Sequence, residues 1–386
     1  MEQRRVYGKN HWYHETQSTN SPVEILPLVP EAADVDDRFL LDLPLAADLS
    51  HPHEGWLTPA RQLTKVLFPD NVTVTRLQTF SAYDRLSTAL TVAQVYGVQR
   101  LCNHYAARLA PLPGPDSSRE SNYRLAQITQ YARQLASSPS VINEVSRRQL
   151  EEVGLTSRDI VLINQIIGFV GFQARAVAAF QAALGQPVRW LPGMPQQNDA
   201  PAERFTDVTG EWSLDIDDAD LRYANDDRQA RLAAWHRHPG LQPLAPLLAT
   251  DEGALALLHQ LLNQLDNSAQ PLSAMAALLA ARINGSVSCF NAWKARWTGD
   301  NGLLQALRGD ERTVQHWARS HSLEHVFLQA AQLLTRAPDR FSAAQLTPLT
   351  EYGLSRVEAI DLLAWCGLCG WLNRLKIALG EVRQAT

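Results

Sequence analysis

The sequence predicts an all-α protein, and three observations carry that prediction. Alternating β-branched runs barely occur; "NVTVT" at Asn71–Thr75 is the best and it is short. Ala/Leu/Gln/Arg-rich segments with apolar residues three and four apart recur through the chain, the spacing of an amphipathic helix. A long stretch of this helical pattern also returns later in the chain, which predicts two tandem helical domains forming a pseudo-dimer behind an N-terminal arm.

Residues 1–38 form the arm, and "HWYHE" at His11–Glu15 lies within it. The first helical domain spans 39–185. In it Ser81 and Asp84 have the spacing of a capping box, so a helix opens there carrying Leu86, Ala89, Leu90 and Ala93. The pattern from Ser81 to Ala110 reads as one long helix or two abutting ones, stopped by "PLPGP" at Pro111–Pro115. Residues 186–238 are turn-rich and acidic, with "LPGMPQQNDAP" and "DIDDADLRYANDD". They read as a linker wrapped on the surface, because so long a structureless loop is unusual inside one domain. The second helical domain spans 239–386.

The repeat is read from aligned residues. "GVQRLCNHYAARL" (Gly97–Leu109) matches "GSVSCFNAWKARW" (Gly285–Trp297) at an offset of 188 residues. Pro139, Gly154, Gly171 and Arg175 match Pro338, Gly353, Gly370 and Arg374 at an offset of 199. The growth in offset places an insertion in the second copy near Trp297–Thr313. A fused pair of this kind replaces a homodimer contact with an intrachain one.

The composition bounds the function. The net charge is −5 over 386 residues, which gives no electrostatic case for nucleic acid or an anionic membrane. No apolar run reads as approaching the roughly 20 residues that span a bilayer. The first residues lack the apolar core of a secretory signal. Four cysteines without dense spacing argue against a disulfide scaffold. A reducing, cytoplasmic setting is expected.

The repeated residues resemble the alkylhydroperoxidase D-like and carboxymuconolactone decarboxylase superfamily, in its peroxidase-related branch. The likeness lies in "RINGSVSC" (Arg282–Cys289), in the segment from Leu334 through Pro338 to "YGLSRVEA" at Tyr352–Ala359, and in Gly171–Arg175 with Gly370–Arg374. It covers most of Phe39–Gly185 and Pro239–Val382. The resemblance implies a helical fold, a trimeric or hexameric ancestry, and a thiol active site of pattern E-x11-C-x2-C-x3-H. In such a site one thiolate attacks a peroxide, a second thiol resolves the sulfenic acid, and a Glu/His pair moves protons.

This chain departs from that pattern. In the second copy the four places are Ala274, Ser286, Cys289 and Trp293; in the first they are Leu86, Val98, Leu101 and Tyr105. Cys289 alone is retained, so the paired-cysteine mechanism does not carry over. Cys289 is the expected attacking thiol, with Ser286 about one turn back as a hydrogen-bond donor. Cys366 and Cys369, in "LLAWCGLCGWL", read either as thiols that resolve Cys289 or as small apolar residues of a buried helix. Their counterparts Ile167 and Val170 favour burial. His104 reads as a proton relay or as a hydrogen-bonded helix residue. Arg175 and Arg374 read as partners of Asp361 or Glu358, as caps of helix carbonyls, or as an anion site. "HWYHE", "HPHEGW" (His51–Trp56) and "WHRHPG" (Trp235–Gly240) hold possible ligands without a metal-binding spacing, so no metal and no cofactor is expected. Trp293 either fills the ancestral pocket or reshapes it for an apolar ligand. Two functions follow: a thiol-dependent oxidoreductase, peroxidase-related, acting through Cys289, or a non-catalytic ligand-binding or sensory protein. The expected partner is a small molecule, and the expected assembly is a homo-oligomer, a trimer first.

Overall fold

The computed structural model describes residues 28–188, 193, 195–205, 210–214, 240–242, 244–267 and 270–384. Helix dominates, and the one sheet among the described residues has two strands. The arm's "HWYHE" and most of "WHRHPG" lie outside the described residues.

The described chain begins with a 3-10 turn at Pro30–Ala33 and short α1 (Ala47–Ser50). Eight further segments follow: a 3-10 turn at His51–His53, α2 (Glu54–Leu67), α3 (Ala82–Tyr96), α4 (Gln99–Leu109), α5 (Arg119–Ser137), a 3-10 turn at Pro139–Val141, α6 (Glu144–Glu152) and α7 (Ser157–Ala183). The predicted capping box is present: the Ser81 side chain accepts from the Asp84 amide, and the Asp84 carboxylate accepts from the Ser81 amide. The Ser81–Ala110 stretch is two helices. Gly97 divides them at φ +66°, a left-handed conformation that a Cβ disfavours.

After α8 (Ala245–Leu248) the same order of elements runs again. It comprises α9 (Glu252–Leu265), α10 (Pro271–Asn284), α11 (Val287–Lys294), α14 (Ser322–Arg336), a 3-10 turn at Pro338–Arg340, α15 (Ala343–Glu351) and α16 (Arg356–Leu379). Gly285, at φ +86°, divides α10 from α11 as Gly97 divides α3 from α4. Between α11 and α14 stand α12 (Asn301–Arg308) and α13 (Glu311–Ala318), in the region where the offset grows. The long helices α7 and α16 open with matching capping boxes, Thr156 with Asp159 and Ser355 with Glu358.

α7 and α16 cross at the centre of one hydrophobic core, and α2 packs on α9. The contacts across the centre are reciprocal. Arg175 donates to the Gly171 carbonyl and, by a short bond, to that of Thr335. Arg374 donates to the carbonyls of Gly370, Leu135 and Ala136. Each arginine therefore holds the end of the other half's helix, α14 or α5. Both guanidiniums sit over the Tyr96 ring, 4.6 and 5.8 Å from its centroid. The cap reading of these arginines thus holds, and the carboxylate reading gives way: Asp361 accepts instead from His53 Nδ1 and Trp56 Nε1, each at 2.8 Å.

Three expectations need refinement. Residues 195–205 are a largely exposed segment pinned to the core at three points. Gln197, Ala200 and Phe205 are buried, because they answer buried polar groups: Gln197 Nε2 donates to Asn284 Oδ1 at 2.9 Å, and the Ala200 carbonyl accepts from Arg282. Strands do form, but not at Asn71–Thr75, which is irregular and largely exposed. They are β1 (Gly210–Leu214) and β2 (Gly380–Gln384), antiparallel, with Gly210 opposite Gln384 and Leu214 opposite Gly380. Finally, α7 is long and apolar enough to cross a bilayer by length and composition. Its isolated polar residues hide this in a residue-by-residue scan; here α7 is buried in the core against α16.

Candidate functional site

The second half's Gly285 turn fixes the site. The left-handed glycine reverses the chain so that α11 starts at once and lies along α16. On α16, Trp365, Cys369, Leu372 or Asn373, and Lys376 fall at three- and four-residue steps, which sets them on one helix face. Facing them from α11 and its end are Ser288, Cys289, Ala292, Trp293 and Arg296, and together they enclose a cavity of about 50 Å³.

The walls are held firmly. Trp365 Nε1 donates to the Ser273 carbonyl at 2.9 Å. The Trp293 ring meets Trp365 edge-on at 5.8 Å, and the Arg296 guanidinium covers Trp293 at 5.4 Å. Trp293 thus occupies one wall and leaves only a small void, instead of opening a larger apolar pocket. Asn373 Oδ1 accepts from Asn284 Nδ2 at 3.1 Å, and Asn284 is held by Gln197. A cavity of about 50 Å³ has room for water or a molecule of similar size. It is well below the roughly 300 Å³ at which drug-sized ligands begin to fit.

Of the sequence-selected residues, Cys289 and Cys369 face this cavity together. Cys289 is half-buried and Cys369 buried. Burial pushes the Cys369 thiol well up, and the neighbouring Cys366, Asp266 and Cys289 add to the rise. Cys366 points elsewhere: its sulfur meets Thr335 Oγ1 at 3.4 Å, and burial raises its pKa while Thr335 and Arg175 oppose the rise. The dithiol pair is therefore split, with one thiol in the cavity and one in the core.

Ser286 does not accompany Cys289. It lines a second, larger cavity of about 450 Å³ on the other side of the turn, and its Oγ is buried without a partner among the described residues. His104 lies in the first half, on α4. Its Nδ1 donates to the Ala32 carbonyl at 2.7 Å, which fixes the tautomer and ties the 3-10 turn at Pro30–Ala33 to α4. Burial holds its imidazole down to about 4. Cys102, also on α4, is pushed by burial up to about 12. Neither reaches the cysteines of the second half. His53 is consumed by Asp361, and among the described residues no group of three or more His, Cys, Asp or Glu is arranged for a metal.

Sequence reasoning missed Lys376. Its side chain lines both cavities. Only 6% of the residue is exposed, and its amine lies 4.4 Å from the centroid of the Trp212 ring on β1. Burial pulls the amine down to about 8, and the charge of Cys289 pulls it back up. The signal was present: a lone lysine inside the apolar run Leu375–Leu379, one helix face on from Cys369. Trp212 was hidden in the presumed linker. Comparison with family models, with curated proteins and with solved structures finds no match, so the family likeness rests on the quoted motifs.

Proposed function

We propose that the chain is a duplicated, alkylhydroperoxidase D-like helical protein, with halves at 39–185 and 239–386, working as a thiol-dependent oxidoreductase through Cys289. The observation that carries this reading is the meeting of Cys289, Cys369 and the Lys376 amine at one cavity sized for a small peroxide. The Cys289 thiolate attacks the peroxide O–O bond. The S–O bond forms, the O–O bond breaks, and the leaving alkoxide or hydroxide takes a proton from the Lys376 ammonium. An amine held down to about 8 gives up that proton more readily than an ordinary lysine. The Cys289 sulfenic acid then condenses with the Cys369 thiol, releasing water and leaving a disulfide, which an external dithiol reduces. A thiol pushed well up by burial is a poor nucleophile, so this second step is slow and the sulfenic acid accumulates. The setting is cytoplasmic, and the assembly is a homotrimer of duplicated chains.

The test is intact-mass analysis after one equivalent of hydrogen peroxide, with a sulfenic-acid trap. The wild-type chain gains one trapped oxygen at Cys289, and Cys289→Ser loses both the adduct and any peroxide turnover. Unchanged turnover in Cys289→Ser refutes the reading. A second reading, a ligand-binding or sensory protein without turnover, is favoured by the absence of histidine and carboxylate from the small cavity's described lining. It predicts that no thiol outpaces a free model thiol toward peroxide.

A further inference from the structure

The larger cavity has a chemistry of its own. The uncapped start of α11 opens onto it, where Ser286 is the N-cap residue but its side chain caps nothing. Amide groups at a helix N-terminus and the helix dipole favour negative charge. Two independent features agree. Ser286 lines the cavity and is 98% buried, 2% being exposed, and its Oγ is without a partner among the described residues. A buried hydroxyl in that state leaves hydrogen-bonding capacity unused, at a cost in stability. Lys376, almost equally buried, brings an amine to the same wall.

The remaining lining divides the space into a polar end and an apolar end. Ser286, Ser288 and Lys376 stand together, and Arg204 adds a second cation at the wall, its guanidinium steadied by the Ser140 carbonyl at 3.0 Å. Ile142, Trp212, Val287 and Ile377 supply the apolar surface. No carboxylate is among the described lining residues. The volume of about 450 Å³ is that of a pocket for an organic molecule.

We propose that this cavity binds an organic anion, a compact carboxylate or phosphate head on an apolar body, with the head between Ser286, the start of α11 and Lys376. The site stands without thiol turnover, since it needs only the cation, the hydroxyl and the apolar wall. Because Lys376 also borders the small cavity, an anion seated here holds a charge one side chain away from Cys289.

The experiment is calorimetric titration of the full chain with octanoate, octyl phosphate and octanol. It is run in wild type, Cys289→Ser, Ser286→Ala and Lys376→Met. At least one of the two anions binds about ten-fold or more tightly than octanol, and the tighter of them identifies the head group. Lys376→Met weakens that anion about ten-fold or more and leaves octanol unaffected, and Ser286→Ala weakens it by a smaller factor. Cys289→Ser binds as wild type does, so a failure of the thiol chemistry leaves this result standing. Binding of octanol as tight as the anions, anion affinity unchanged in Lys376→Met, or no binding of either anion overturns the proposal.

Discussion

At the end of α3, Gly97 lies against Asp339; at the end of α10, Gly285 lies against Ser140, the residue at the corresponding place in the other half. The two turns share a left-handed glycine, yet their linings differ, and two cavities border the second. Where the second half has Cys289, Trp365, Cys369 and Lys376, the first has Leu101, Ile166, Val170 and Val177, all at 0% exposure. Aliphatic side chains fill the first turn. In the second, two thiols, an indole and an amine replace them, and such groups neither pack as densely nor tolerate a dry interior. The difference teaches that the first half closes this place with aliphatic packing, whereas the second keeps there the thiols, indole and amine that the proposed site uses.

The crossing of α7 and α16 offers the sharpest way to break this comparison. Gly168 and Gly367 occupy matching places. A Cβ on Gly168 meets the Trp371 ring at 1.9 Å, and one on Gly367 meets the Arg175 Cβ at 3.2 Å. The first contact requires a fully buried indole to move, along with its bond to Gln165 Oε1. Gly168→Ala should therefore cost more than about 3 kcal/mol. Gly367→Ala needs only a small shift, and the helix propensity gained offsets it, so the net should lie within about 1 kcal/mol of zero. Urea unfolding of the two variants reads the contrast. Equal costs would mean that the two halves pack alike at their centre.

The helices and their boundaries were legible because their causes are local. Capping boxes and apolar spacing act within a few residues, so the helix start at Ser81 announced itself, whereas the division of Ser81–Ala110 at the left-handed Gly97 was left open. The site was half legible. Cys289 stood out through its place in the thiol pattern of the family the motifs resemble, and the burial of Cys366 and Cys369 through the aliphatics that match them. Lys376, Trp212 and Gln197 were not legible. Their roles arise from contacts across long sequence distances: Trp212 reaches the Lys376 carbonyl at 2.8 Å, and Gln197 joins Asn284 to Arg374. A turn-rich composition does not reveal which residues of a largely exposed segment will be pinned to the core by buried polar groups. Ser286 was misread as a companion of Cys289 because adjacent turns of a helix start can face different cavities.

His104 marks the first half in a second way, since its counterpart is Ala292. Burial holds the imidazole down to about 4 against the ordinary 6.5, with the Ala32 carbonyl opposing the fall. Between those values the unfolded chain takes up a proton that the folded chain refuses. Stability is thus complete above about 6.5 and is lost as the pH falls toward 4. By pH 5 the loss attributable to His104 should be about 2 kcal/mol. His104→Gln, which keeps a donor for Ala32, should flatten that part of the acid limb while lowering stability at neutral pH. An unaltered slope in the variant would show that another group sets the acid limb.

The smallest effect comes from making the second half more like the first at Lys376. In the folded chain the amine sits near 8 against an ordinary 10.5, so at neutral pH the protein holds a buried ammonium at a cost. Above 8 the folded chain releases the proton before the unfolded chain does, and stability therefore rises with pH until about 10.5. Between pH 7.5 and 9 that gain should be about 1 kcal/mol. Lys376→Met keeps the length and the contact with Trp212 but holds no proton. It should be more stable than wild type by about 1 kcal/mol at pH 7, and its advantage should shrink as the pH rises. A variant that is less stable than wild type at pH 7 would mean that the ammonium is better satisfied than its surroundings indicate, and the apparent freedom of its charge for an anion or a proton transfer would go with it.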